Sequence, residues 1–134
     1  MFRTFIPALL IHASILSGTT AKAQISHDLT IYSEDGLKFT LVINGEEINS
    51  EPKSSVKVEN TNNDYANVIV RFEDASIPQI QKKVLQIAEP GTGGKGPVAV
   101  VYAIKEKKGE QILRFVSRSA KKIQDAPLII INNN

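Results

Sequence analysis

The sequence contains no cysteine and no tryptophan, and Met1 is its only methionine. That excludes disulfide scaffolds, thiolate metal centres and cysteine nucleophiles. Histidine is nearly as scarce. Of the two, His12 falls in an N-terminal stretch that reads as a removable leader, so only His27 is left for histidine chemistry. A His-cluster metal site is excluded on that count, and a Ser-His-Asp triad would have to be built on His27 alone. A charge of one sign is also missing. The formal net charge is +2, but Arg3 and Lys22 lie within residues 1–23. The remaining 111 residues balance 14 basic against 14 acidic side chains. The basic pI of the whole sequence is therefore no argument for nucleic acid, and no nucleic-acid partner is expected.

What is present begins with residues 1–23, MFRTFIPALLIHASILSGTTAKA. Arg3 supplies a positive n-region, an apolar run of about a dozen residues follows, and Ala21-Lys22-Ala23 is a small-x-small cleavage pattern. The run is too short to span a bilayer, which needs ~20 residues. The pattern predicts a signal peptide cut after Ala23 and a secreted or periplasmic product. No later run is long enough for a transmembrane segment. Residues 24–27 are expected to be a mobile N-terminus that leaves His27 exposed.

From residue 28 onward the chain shows period two and almost no helical period. Strands are expected over 29–32, 37–43, 46–48, 55–59, 68–73, 83–88, 98–106 and 111–118. Asn44-Gly45 is a strong hairpin turn signal. In the last hairpin, pairing Tyr102 with Phe115 and Ile104 with Leu113 makes one face apolar, and that register also sets Val100 against Ser117. A slip by one residue would turn Lys105 and Arg114 inward, so the pattern fixes the register. Short strands with turns every eight to twelve residues predict an all-β, antiparallel immunoglobulin-like β-sandwich of about seven strands over residues 28–118. A small Greek-key or prealbumin-like barrel is the alternative. Residues 119–134 form a C-terminal extension in which apolar 128–131 is suited to an edge strand.

Few motifs offer chemistry. The Gly-rich loop 89–97 spaces Gly91 and Gly96 like the ends of a phosphate loop, but Pro97-Val98 replaces the required Lys-[Ser/Thr] and a strand follows, not a helix. Asn60, Asn62 and Asp64 have the spacing of a calcium loop. Tyr65 replaces its glycine and Arg71 its closing glutamate, which excludes an EF-hand and leaves only an open surface site. The acidic pairs Glu34-Asp35, Glu46-Glu47 and Glu73-Asp74 sit at turns. Neighbouring residues on a strand point to opposite faces, which is poor geometry for paired-carboxylate catalysis. No catalytic residue, metal ligand or cofactor is expected. A small secreted hydrolase using paired carboxylates is the alternative function.

The order of charge is less ordinary. Residues 24–76 carry 4 basic and 10 acidic side chains, and residues 77–134 carry 10 basic and 4 acidic. Lys105, Lys107, Lys108, Arg114, Arg118, Lys121 and Lys122 gather on and after the last hairpin. They are the candidate site residues, for an envelope protein or an anionic glycan as partner. The bland reading is that a sandwich interleaves its two halves and the charges cancel in space.

Four phrases, Ser33-Glu-Asp-Gly36, Phe39-Thr-Leu-Val-Ile-Asn-Gly45 with Glu51-Pro52, Phe72-Glu-Asp-Ala-Ser-Ile-Pro78 and Lys107-Lys-Gly-Glu-Gln-Ile-Leu-Arg-Phe115, cover most of residues 28–118. Together they resemble a family of exported Bacteroidota-type proteins of unknown function. Members often continue into a helical C-terminal domain that does not follow here. The resemblance implies an envelope or secreted β-module acting by binding or as a structural piece, and it carries over no catalytic residue.

Overall fold

The computed structural model describes residues 26–89 and 96–121. The leader, most of the Gly-rich loop, Lys122 and the 128–131 segment lie outside the described residues. Those described form eight strands and no helix: β1 (His27–Ser33), β2 (Phe39–Ile43), β3 (Glu46–Glu47), β4 (Ser55–Thr61), β5 (Tyr65–Phe72), β6 (Ile80–Gln86), β7 (Val98–Lys107) and β8 (Glu110–Ala120).

They make two four-stranded sheets, ordered β4-β1-β7-β8 and β3-β2-β5-β6. β1 runs antiparallel to β4 and parallel to β7, and every other pairing is antiparallel. Alternation along the strands sends Leu29 and Ile31, Phe39 and Leu41, Val68 and Val70, and Val100 and Ile104 into one core shared by both sheets. Each of these eight side chains is almost completely buried. Burying such a side chain stabilises by roughly 1.5–3 kcal/mol, so the sheets are held mainly face to face. The arrangement is sandwich-like.

The two sides of the sandwich are closed differently. On one side the chain crosses between sheets: the Ser33 N–H donates to the Ser54 carbonyl, while Phe39 and Lys53 exchange both backbone hydrogen bonds. Asn49 extends this closure. Its Oδ1 accepts the Leu41 N–H at 2.8 Å and its Nδ2 donates to the Phe39 carbonyl at 2.9 Å, so a side-chain amide stands where a strand's peptide group would. On the other side β6 and β8 are the edge strands, and side chains close the gap.

Two hairpins turn on residues of positive φ. At Asn44 (φ 49) and Gly45 (φ 83) the expected Asn-Gly turn joins β2 to β3. At Lys108 (φ 51) and Gly109 (φ 81) the same geometry joins β7 to β8, with a lysine in a conformation it disfavours.

Three local expectations need correction. First, β6 begins at Ile80 and ends at Gln86, a shift toward the N-terminus from 83–88. An edge strand needs few inward residues, and polar Gln81, Lys82 and Lys83 concealed its start. Second, His27 is not an exposed residue of a mobile end. It opens β1 and is 3% exposed. Its Nδ1 accepts the Val98 N–H at 3.0 Å, which places the ring proton on Nε2, and Nε2 lies 3.5 Å from Asp64 Oδ1. Third, the last hairpin keeps the expected register from Lys107↔Glu110 to Tyr102↔Phe115 and then bulges. Val100 pairs with Arg118, not Ser117.

Candidate functional site

The bulge decides which cations remain available. With one extra residue in β8, Arg118 moves from the outer face of its sheet to the inner face. Its Nε donates to the Ile87 carbonyl at 2.8 Å, and Nη2 lies 3.4 Å from the Gln86 carbonyl. The guanidinium also sits over the Phe115 ring, 5.0 Å from its centroid. Phe115 meets the Tyr102 ring edge-on at 5.8 Å, and the Tyr102 hydroxyl donates to Gln86 as well. Burial pushes the Tyr102 phenol above its usual 10.0, with the Arg118 charge pulling the other way. Arg118 is thus the clamp between β8 and the end of β6.

Lys121 is also committed. Its Nζ lies 3.0 Å from Asp28 Oδ1 and 2.9 Å from Asn60 Oδ1. The Asn60 N–H, at a left-handed residue (φ 59) where β4 bulges against β1, donates to the same Asp28 oxygen at 3.2 Å. Burial works to raise the Asp28 carboxyl, but these hydrogen bonds and the charges of Lys121 and Lys57 outweigh it and hold the group below its usual 3.8. Because Asn60 Oδ1 already accepts an ammonium, the calcium-loop spacing serves an internal ion pair. Among the described residues no group of three acidic, histidine or cysteine side chains could hold a metal ion.

Lys105, Lys107, Lys108 and Arg114 remain. The register sets Lys105 opposite Ile112, Lys107 opposite Glu110 and Ala103 opposite Arg114, all on the outer face of the β4-β1-β7-β8 sheet. Lys108 stands at the tip of the hairpin. None of the four makes an ion pair among the described residues. The parallel pairing of β1 with β7 brings Thr30 and Tyr32 beside Val101 and Ala103 on that face. Ala103 is buried, Val101 and Tyr32 are half-buried, and Val116 is exposed. The result is a floor of Thr30, Tyr32, Val101 and Ala103 with cations at the hairpin end. Interleaving is partial: β1 and β4 from the acidic half share this sheet, but β7 and β8 stay together at its edge, so their charges are not dispersed.

The acidic pairs of the sequence stand at the surface. Glu34, Asp35, Glu46, Glu47, Glu73 and Asp74 are exposed. The two carboxyls whose titration is moved, Asp28 and Asp74, are both moved down, opposite to what a general acid needs.

Sequence reading missed a cleft at the end of the sandwich where the β5–β6 connection meets the β7–β8 turn. Residues 76–80 form one wall and 109–111 the other, around about 470 Å³. Gln111 Oε1 is buried there and bonds no protein group. The signal was present: Gln111 continues the inward series 113, 115 as a polar residue on an apolar face. No helix among the described residues is long and apolar enough to cross a membrane. No family model matches the sequence, and no curated protein or solved structure matches it either.

Proposed function

We propose that this chain is an exported, non-catalytic sandwich module of the immunoglobulin-like kind. Its outer β7–β8 face holds an anionic partner in the cell envelope, an acidic glycan by preference. The observation that carries the reading is the survival of a cluster. After Arg118 and Lys121 are drawn into structural contacts, Lys105, Lys107, Lys108 and Arg114 still share one hairpin and make no ion pair among the described residues. Clustered cations of this kind raise the local concentration of an anionic ligand. An open sheet face of Val101, Ala103 and Thr30 suits an extended polymer lying across strands better than a molecule held in a pocket. Export rests on the leader pattern, and the immunoglobulin-like class rests on short strands, antiparallel except for β1 with β7, in two facing sheets. The hydrolase alternative finds no support in exposed, dispersed carboxylates.

Heparin-column retention at low ionic strength tests the binding face. The wild-type chain is expected to be retained, as is a Lys82→Ala/Lys83→Ala control on β6. The Lys105/Lys107/Lys108/Arg114→Ala variant is expected in the flow-through. Equal retention of the variant, or no retention of the wild type, would overturn the reading.

A further inference from the structure

His27 opens β1 as a buried ring with a partner at each nitrogen. Nδ1 accepts the Val98 N–H at 3.0 Å, and Nε2 lies 3.5 Å from Asp64 Oδ1. The first contact ties the start of β7 to β1, one residue before the parallel ladder begins at Asp28↔Ala99. The second reaches the connection between β4 and β5. That connection is also anchored by backbone, since the Asp64 carbonyl accepts the Ile87 N–H at 2.7 Å and the Ala88 N–H at 3.1 Å just past β6. Of the charged groups on the elements packed here, Asp64 stands at ion-pair distance from the ring, with its own side chain largely in solvent. Asp28, next on β1, points to the opposite face by alternation, where Lys121 and Lys57 engage it. Glu89, which follows Ala88, is exposed. Thr61 on β4, opposite His27, and Val98 on β7 carry no charge.

We propose that His27 is an acid-operated latch on the start of β7: as a neutral ring it holds Val98, and as an imidazolium it releases Val98 and keeps Asp64. A neutral imidazole has one acceptor nitrogen, and here that nitrogen is Nδ1. An imidazolium has none, because both of its nitrogens donate. Two N–H groups cannot share a 3.0 Å contact, so protonation parts the Val98 amide from the ring. At Nε2 the effect is the reverse, because a charged N–H then faces the Asp64 carboxylate. Protonation therefore exchanges a contact with β7 for a stronger one with the β4–β5 connection. The bonds from Ile87 and Ala88 to the Asp64 carbonyl use no ring nitrogen and stay in place. Histidine is the side chain suited to such a device in mild acid, above the range where ordinary carboxylates titrate. The latch lies at the opposite end of β7 from Lys105 and Lys107 and does not rest on the reading of the basic face.

The test follows the ¹⁵N-labelled full chain by NMR from about pH 8 to about pH 5, a window that spans histidine titration and stays above most carboxylates. The ring nitrogens of His27 are assigned by their loss in His27→Asn. At the alkaline end the ring is expected as the Nε2–H tautomer. As it takes up the second proton, the Val98 amide signal is expected to move upfield with the same midpoint. The hydrogen-exchange protection of Val98 should fall about tenfold, the equivalent of one lost hydrogen bond, while Ile87 and Ala88 keep theirs. His27→Asn places an amide oxygen near the position of Nδ1 and cannot titrate, so its Val98 signal is expected to hold still across the range. Asp64→Asn, at a side chain largely in solvent, is expected to fold and to move the Val98 midpoint to lower pH without abolishing the response. A Val98 amide that ignores ring protonation, an equal response in His27→Asn, an Nδ1–H tautomer at the alkaline end, or a ring that stays neutral down to pH 5 would each overturn the proposal.

Discussion

Replacing Arg118 by Met removes the guanidinium and keeps most of the aliphatic stem on Phe115. One good charge-assisted hydrogen bond is lost, Nε to the Ile87 carbonyl at 2.8 Å, and the contact at 3.4 Å to Gln86 contributes little at that length. A hydrogen bond to a charged group contributes about 1.5–3 kcal/mol, toward the low end for a partly exposed side chain. The cation–π contact at 5.0 Å adds about 0.5–1 kcal/mol. The expected loss is therefore about 2 kcal/mol, read as a lower urea midpoint with an unchanged m-value. Arg118→Lys restores the charge without the planar fork and is expected to recover about half of the loss. A cycle with Phe115→Leu should give a coupling of about 0.5–1 kcal/mol from the ring contact. A change within about 0.5 kcal/mol for Arg118→Met, as for an ordinary surface site, would refute the clamp and with it the bulge that turns Arg118 inward.

Other predictions follow from the same contacts. Asp28→Asn is expected to cost about 1–2 kcal/mol near neutral pH by weakening the bonds to Lys121 and Asn60. The folded Asp28 carboxyl titrates below its usual 3.8, so the unfolded chain takes up the proton first. Its stabilisation is complete above that value and is lost as pH falls from there toward the folded value, so pH-dependent urea melts of wild type and variant should converge in acid. Lys108→Asn is expected to stabilise by about 0.5 kcal/mol, since asparagine accepts the left-handed conformation more readily, and a thermal melt no higher than wild type would contradict this. The chain expressed with its leader in a secreting bacterium is expected to yield a product beginning at Gln24 by mass spectrometry, and Ala21→Leu/Ala23→Leu is expected to block that cut.

Period two along Leu29 and Ile31, Val68 to Phe72, and Val100 to Ile104 was readable because each strand has one face on the core, and Asn44-Gly45 was readable because its turn demands positive φ. The start of β6 was not, since an edge strand exposes most of its residues and Gln81, Lys82 and Lys83 carry no alternation. The parallel contact of β1 with β7 joins residues about 70 apart and leaves no local trace. The basic cluster was visible in the charge order, but the bulge before Arg118 was not. Only adjacent apolar Phe115 and Val116, one for each face, hint at the change of phase. Without the bulge Arg118 counts as a surface cation, and with it as a strut. The contacts of Lys121 leave no local trace for a related reason, because its partners Asp28 and Asn60 come from β1 and β4.

The most direct measurement maps a heparin-derived oligosaccharide onto the ¹⁵N-labelled chain by amide shifts at low salt, repeated with added salt. Perturbations are expected at Lys105, Lys107, Lys108 and Arg114 that fade with salt, with silence at Arg118 and Lys121. Shifts centred on Arg118 and Lys121, or none on the β7–β8 face, would contradict it.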